Sequence, residues 1–343
     1  MQTLITGGAG FIGCNLAQRL LNRGYTVTIY DNLSRPGTPS NLEWLREVAR
    51  DTAGSLAFIQ ADVRDAAALE AAARQVDVIF HLAGQVAVTC SVHEPRNDFE
   101  INALGTFNVL EAARKSPSRP AVLYASTNKV YGGMEEVAIV EEETRYGYRD
   151  LPNGIPETQP LDFHSPYGCS KGAGDQYVRD YHRIYGLKTV VFRQSCCYGL
   201  RQFGVEDQGW VAHFVIAAQF GRPIAIYGDG KQVRDILYID DLVDAYELAL
   251  ERINIAAGKV YNVGGGIANT ISIWREFEPI LSRLAQQPVV PAHFGDWRPG
   301  DQPVFVSDIS KIERELGWRP RVGVAEGVER LWNWVRENHT LFN

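Results

Sequence analysis

The stretch Thr3-Leu4-Ile5-Thr6-Gly7-Gly8-Ala9-Gly10-Phe11-Ile12-Gly13 decides the fold. Residues 3–6 are a short apolar run, and residues 14–23 carry helical periodicity through Leu16, Leu20 and Leu21 until Gly24 stops it. Strand, glycine turn and helix in that order are the setting a dinucleotide fingerprint requires. Glycines at 7, 10 and 13 allow a tight turn and a close approach to a pyrophosphate, whose charge then sits at the helix N-terminus. Gly7, Gly10, Phe11, Ile12 and Gly13 are therefore cofactor-contact candidates.

Working outward, residues 26–30 read as the next strand, and it ends at Asp31, about 20 residues past the glycines. A carboxylate there accepts hydrogen bonds from the adenosine ribose and repels a 2′-phosphate, which favours NAD over NADP. Asn32 stands beside it, and Arg35 reads as a loop residue close enough to blur that choice. Apolar runs recur at 57–60, 78–82 and 121–125 with helical patterns between them. Such alternation means a doubly wound α/β fold, a Rossmann-type parallel sheet with right-handed crossovers. Ligands bind beyond the carboxyl ends of such strands, so Asp62-Val63 and Leu82-Ala83-Gly84 are expected to line the cofactor side. Asp62 has a second reading as a helix cap.

At 343 residues the chain fits one large α/β unit with a smaller mixed lobe. The expected division is 1–199 for the dinucleotide domain, with an insertion at 133–164, and 200–343 for the lobe, some segments of which return to the sheet. A net charge of −7 without long like-charged runs argues against a nucleic-acid partner. Five cysteines fit a reducing compartment better than a disulfide framework. No apolar run approaches 18 residues and no leader is apparent, so neither a membrane span nor a signal peptide is expected, and a cytoplasmic location is.

The fifth strand runs into Ser126-Thr127-Asn128-Lys129-Val130-Tyr131-Gly132, and Ser165-Pro166-Tyr167-Gly168-Cys169-Ser170-Lys171 opens a helix downstream. Ser165 suits the cap and Pro166 the first helical position. Tyr167 and Lys171 stand four apart and share a face. An ammonium near a phenol favours the phenolate, and bringing a Tyr from about 10 to near 7 takes roughly 4 kcal/mol of such stabilisation. A phenol poised there is a general base toward an alcohol.

The glycine fingerprint, Asp31, the Ser/Thr before Val-Tyr-Gly and the Tyr-x-x-x-Lys together resemble the extended short-chain dehydrogenase/reductase family over nearly the whole chain. The resemblance implies that Thr127 hydrogen-bonds the reacting sugar oxygen, Tyr167 exchanges its proton, and Lys171 holds the ribose and tunes Tyr167. Ser126 is expected to point to the opposite face of the strand. The resemblance also implies a cofactor-supporting role for Asn102, and places Gln85 and Thr89 near nicotinamide and substrate. It further implies a homodimer through the helices that contain Asn102 and Tyr167.

In the second half, the resemblance assigns the segment 227–235, with Gln232 and Arg234, to the sugar nucleotide, Arg234 gripping the diphosphate as a guanidinium fork. Trp297-Arg298-Pro299-Gly300-Asp301-Gln302 adds Arg298 for phosphate and Asp301 for the nucleoside. Cys196 stands where many members place an Asn on the diphosphate, so that contact does not transfer. Cys196 and Cys197 read as buried thiols, since no nearby spacing suits a metal. Asp240-Asp241 read as helix-start residues, and Trp318-Arg319-Pro320 as a structural closing motif. The 35 residues between Tyr131 and Tyr167 read as a long ordered loop, either a lid over the sugar or a surface excursion.

Several pieces are more particular: residues 126–132, His164 through Gly172, Arg201-Gln202-Phe203, residues 207–211 and residues 230–235 together resemble the CDP-paratose 2-epimerases, also called CDP-tyvelose epimerases. The implied activity is inversion of C2 of a CDP-hexose with bound NAD⁺. Arg201, Arg234 or Arg298 would meet the diphosphate, Asn128 would lie at the substrate, and His164 would touch the hexose or pack at the helix entry. The same-fold alternatives are a nucleotide-sugar 4-epimerase and a 4,6-dehydratase. A dehydratase would place an Asp-Glu pair where Asn128-Lys129 stand. A non-catalytic NAD sensor would commonly have lost Tyr167 or Lys171.

Overall fold

The computed structural model describes residues 1–298 and 301–342, so Pro299 and Gly300 of the late motif lie outside the described residues. The chain divides into two compact units. The first takes Met1–Val130, Ser165–Arg193 and Val243–Tyr261; the second takes Tyr131–His164, Gln194–Leu242 and the chain from Asn262 onward. The division therefore does not run as one break near residue 199. The stretch from 131 to 164 groups with the second unit, and the helix Ile239–Glu251 enters the first from Val243. Packing explains that return: Tyr246 lies edge-on to Phe80 and to Phe192, at ring-centroid distances of 5.9 and 4.7 Å.

The principal sheet has seven strands in the order Lys259–Val263, Thr189–Gln194, Ala121–Thr127, Val78–His81, Gln2–Thr6, Thr26–Asp31 and Ser55–Gln60. The strands paired around Gln2–Thr6 are parallel. Leu4, Ile5, Val122, Leu123, Val190 and Phe192 are wholly buried, as strands covered on both faces must be. The strand order reverses between Gln2–Thr6 and Val78–His81, and ligands in such sheets bind at this switch point. Gly7 sits there at φ +68, where a Cβ would come within 2.7 Å of the Ala83 backbone nitrogen. The turns after the first and fourth strands thus touch at a point only glycine can occupy.

The strands read from sequence at 3–6, 26–30, 57–60, 78–82 and 121–125 are all present, the last extending to Thr127. The helix after the glycine turn starts earlier than its apolar periodicity suggested, at Phe11, and runs to Asn22. Asp65, not Asp62, caps the helix Ala66–Ala72, accepting from Ala68 N at 3.0 Å. Between the helices Pro95–Phe99 and Gly105–Lys115 lies one π-helical turn, Glu100–Leu104, which contains Asn102. Single π turns of this kind frequently mark functional sites.

In the second unit the strand Val233–Tyr238 pairs with Cys196–Tyr198, Thr270–Ser272 and Val304–Phe305. Residues 131–164 are more ordered than a loop. Ile139–Glu141 and Tyr146–Tyr148 form a hairpin, Tyr146 N donates to Lys231 O, and Ile155 N donates to Val306 O at 2.7 Å. Arg145 forks onto Glu276, with one contact of 2.6 Å. Trp318 is buried, and its indole donates to Asp241 O at 2.8 Å while the Asp241 carboxylate accepts from Val322 N. That is the structural part expected for both motifs. Among the described residues no helix is long and apolar enough to cross a membrane, and no His/Cys/Asp/Glu group is arranged to hold a metal.

Candidate active site

Thr127 closes the fifth strand and Tyr167 stands in the first turn of the helix Ser165–Tyr185. Ser165 caps this helix by accepting from Gly168 N at 3.2 Å, with its own backbone in the left-handed region at φ +65. Ser91 Oγ accepts from Tyr167 N at 3.1 Å, which fixes where the helix begins. The Thr127 hydroxyl acts on the Tyr167 phenol and pulls its pKa down. Asn128 Oδ1 accepts from Thr127 Oγ1 at 3.3 Å, and Lys129 N donates to the same hydroxyl at 3.2 Å. The neighbouring Ser126 turns away and donates to Asp175 Oδ2 at 2.9 Å, as strand alternation requires. Asp175 is itself forked by Arg193 at 2.9 and 3.0 Å, all of it buried.

The protonation of the Tyr–Lys pair corrects the sequence reading. Lys171 Nζ donates to Ala125 O at 2.5 Å and lies 4.3 Å from the Tyr124 ring centroid. Burial pulls this amine down to about 7, against the opposing charges of Asp98 and Asp175. Burial pushes the Tyr167 phenol up to about 12, while the Thr127 hydrogen bond and the Arg35 charge pull it back. Desolvation outweighs the local charge at both groups, so the chain alone favours a neutral phenol. Arg35, read as a loop residue, acts electrostatically on both Tyr167 and Asp31.

The glycine turn is built as its spacing implied. A Cβ on Gly13 would come within 2.4 Å of Gly7 O. The helix Phe11–Asn22 has Gly10 as its N-cap, without a capping side chain and without an acid in its first turn. Its leading amides therefore face no competing carboxylate, which suits an anion. Asp31 accepts from Ala9 N at 3.0 Å and Leu33 N at 2.8 Å, so it also pins the glycine turn. Burial raises the Asp31 carboxyl, against these hydrogen bonds and the Arg35 charge. Asn32 donates to Asp62 at 2.8 Å, and Arg64 forks onto Asp62 and holds it down at about 2. The Val63 side chain belongs to the core, leaving only its backbone for a ligand.

Beyond the fourth strand, Asn102 clamps the Leu82-Ala83-Gly84 turn by accepting from Gln85 N and donating to Gln85 O, both at 3.0 Å. It also donates to Asp98 at 3.0 Å and Ser170 at 3.2 Å, so its role is to support the turn. The Gln85 amide folds back on its own loop, donating to Ala87 O at 2.8 Å and Asp98 at 3.2 Å. Thr89 Oγ1 is buried without a partner, the observation that a ligand hydroxyl or phosphate there would answer. Neither Asp98 nor Ser170 was singled out in the sequence. Nothing in their local spacing marks them.

In the second unit, Arg234 is buried and paired with Asp301 at 2.6 Å, two residues the sequence reading assigned separately to diphosphate and nucleoside. Arg298 lies 4.1 Å from the Tyr227 ring centroid and 3.3 Å from Asp207. Arg201 sits at φ +65 over the Trp334 ring, 5.7 Å from its centroid. The Gln232 amide accepts from Gly230 N at 3.0 Å and donates to Tyr227 O at 2.6 Å, closing its own turn. His164 pairs with Asp162 at 2.8 Å. Cys196 and Cys197, expected as buried thiols, are both only partly buried, and desolvation pushes the Cys197 thiol far up.

Comparison with known proteins agrees with this arrangement. The chain is 44% identical to CDP-paratose 2-epimerase of Salmonella typhi, covering 98% of this chain and 99% of that one. It superposes on the crystal structure of UDP-glucose 4-epimerase from Thermotoga maritima with UDP-glucose at a TM-score of 0.84, with 30% identity over 99% of this chain and 100% of the other. The dTDP-glucose 4,6-dehydratase from Streptomyces venezuelae, solved with NAD bound, matches at 0.84 with 31% identity over 99% and 98% of the two chains. The family model described as GDP-mannose 4,6 dehydratase matches residues 4–331, from the first strand to the last long helix, with the glycine cradle and the Tyr–Lys helix both inside it. The chain belongs to that family.

Proposed function

We propose that this protein is an NAD-dependent isomerase that inverts C2 of a CDP-linked hexose, of the CDP-paratose to CDP-tyvelose type. The observation that carries the reading is Thr127 at the end of the fifth strand acting on Tyr167, with Lys171 one turn along the same helix. The full-length likeness to a CDP-paratose 2-epimerase supports the position on the sugar and the base. Asn128-Lys129 after Thr127, in place of an Asp-Glu pair, disfavours dehydration.

The residues present fit the cofactor: a glycine cradle a Cβ would fill, an uncapped helix start, and Asp31 at the end of the second strand. NAD, when bound, supplies a hydride acceptor and donor. The chain's own part is proton handling and positioning. Tyr167, once ionised, takes the proton of the C2 hydroxyl and returns it to the same oxygen after the carbon has inverted, while Thr127 holds that oxygen as alkoxide and then as carbonyl. Lys171, next to neutral in the chain alone, gains its proton most readily where an added acceptor such as a ribose hydroxyl shares it. Arg201, Arg234 and Arg298 hold the diphosphate, so the keto sugar can turn without leaving.

Five cysteines outside any disulfide support a reducing, cytoplasmic setting. Phe107, Tyr177, Ile184 and Tyr185 stay exposed on the helices Gly105–Lys115 and Ser165–Tyr185, an apolar face that supports a homodimer. Incubation with CDP-, UDP- and GDP-hexoses, followed by NMR of C2 and C4 stereochemistry, tests the assignment. C2 inversion of a CDP-sugar is expected, and inversion at C4 alone would replace it with a 4-epimerase.

A further inference from the structure

Behind the Tyr–Lys helix lies a buried carboxylate that the mechanism above does not use. Asp98, on the short helix Pro95–Phe99, is almost wholly buried and has three donors. Ser170 Oγ donates to its Oδ2 at 2.5 Å, and Asn102 Nδ2 and Gln85 Nε2 donate to its Oδ1 at 3.0 and 3.2 Å. These donors come from three places: the helix that carries Tyr167 and Lys171, the π turn, and the loop beyond the fourth strand. Ser170 is the residue immediately before Lys171. A carboxylate is an unusual group to bury, because it is costly unless paired or hydrogen-bonded.

We propose that Asp98 is a positioning residue for the hydride-transfer site: it ties the Gln85 loop and Asn102 to the Tyr167–Lys171 helix, and its negative charge faces the Lys171 ammonium. The inference rests on the reading of Lys171 as a working member of that site. The charged and titratable groups around Lys171 are few. Asp175 comes from its own helix, His81 from the fourth strand, Tyr124 from the fifth, and Asp98 from the helix packed beside it. His81 is held neutral by burial, near 3, and Asp175 is already forked by Arg193, which leaves Asp98 as the carboxylate with no cationic partner of its own. The Asp98 and Asp175 charges both oppose the burial that pulls Lys171 down. Burial raises the Asp98 carboxyl, and the Ser170 hydrogen bond, the Lys171 charge and the Asn102 hydrogen bond oppose that rise.

The test is a titration of Lys171 by ¹³Cε NMR in the holoenzyme, with lysine labelled; the sequence has only seven lysines, so assignment by Lys171→Arg is practical. In Asp98→Asn the Lys171 midpoint is expected to fall by about one unit relative to wild type. Ser170→Ala, which keeps the carboxylate and removes one bond that favours its charge, is expected to move the midpoint the same way by less. The pH at which turnover declines on the alkaline side should follow these midpoints. Unmoved midpoints in both folded variants, with only a lower Tm, would reduce Asp98 to a structural clamp and overturn the proposal. The NMR readout is independent of which sugar is turned over, so failure of the CDP-hexose assay and failure of this inference remain separate outcomes.

Discussion

Ser126 Oγ donates to Asp175 Oδ2 at 2.9 Å, and that bond fixes which of two adjacent hydroxyls can serve the chemistry. With Ser126 committed to the buried Asp175–Arg193 pair, Thr127 faces Tyr167. Thr127→Ala is expected to lower kcat about 100-fold, the scale of losing one donor at a developing oxyanion. Ser126→Ala should leave kcat within a few-fold and lower stability by about 1–2 kcal/mol, through one lost hydrogen bond to a buried carboxylate. Steady-state kinetics and urea unfolding of the two variants check this, and the reverse pattern would exchange the roles.

Tyr167→Phe should abolish turnover while the cofactor remains bound, since the ring still fills its buried site. A CDP-sugar deuterated at C2 should show a primary isotope effect on cofactor reduction in wild-type enzyme. Substantial residual epimerisation by the variant, or no isotope effect, would sink the assignment of proton or carbon.

Burying Lys171 carries a cost to stability. Burial holds its amine near 7, below the ordinary lysine value of 10.5, so between these the unfolded chain binds more protons and stability from this group rises with pH. Below about 7 both states are protonated and the cost of burying the ammonium is present in full. Lys171→Met is therefore expected to be inactive yet more stable than wild type at pH 6, by on the order of 2 kcal/mol, with the Tm difference shrinking toward pH 10. A Lys171→Met protein less stable at pH 6 than wild type would contradict this.

The Arg234–Asp301 pair predicts separate effects on binding and stability. Arg234→Lys keeps the charge and loses the fork, so KM for the nucleotide sugar should rise at least about 10-fold with a smaller change in kcat. Asp301→Ala leaves a buried guanidinium without its carboxylate and should cost about 2–3 kcal/mol in unfolding experiments. An unchanged KM in Arg234→Lys would remove Arg234 from the diphosphate site.

Much of this protein was legible in the sequence because its signals are local. Gly7, Gly10 and Gly13 mark the backbone approach, strand alternation separates Thr127 from Ser126, and helical spacing pairs Tyr167 with Lys171. Other features depend on what folding brings together. The cap is Asp65, immediately before the helix Ala66–Ala72, while Asp62 is held by Arg64, and Gln232 closes a turn of its own. The hairpin within residues 131–164 owes its order to partners such as Lys231 and Val306, far along the chain.

The sequence by itself determined the parallel sheet, the glycine turn and the Tyr167–Lys171 spacing, because each follows from short-range periodicity or from what glycine alone permits. Only the tertiary structure decided how those side chains are ionised. Tyr167 and Lys171 are shifted first by desolvation, and the Asp98 charge that acts on both comes from about 70 residues upstream of them. Burial and Coulomb energy depend on distance in space, which residue spacing along the chain does not encode.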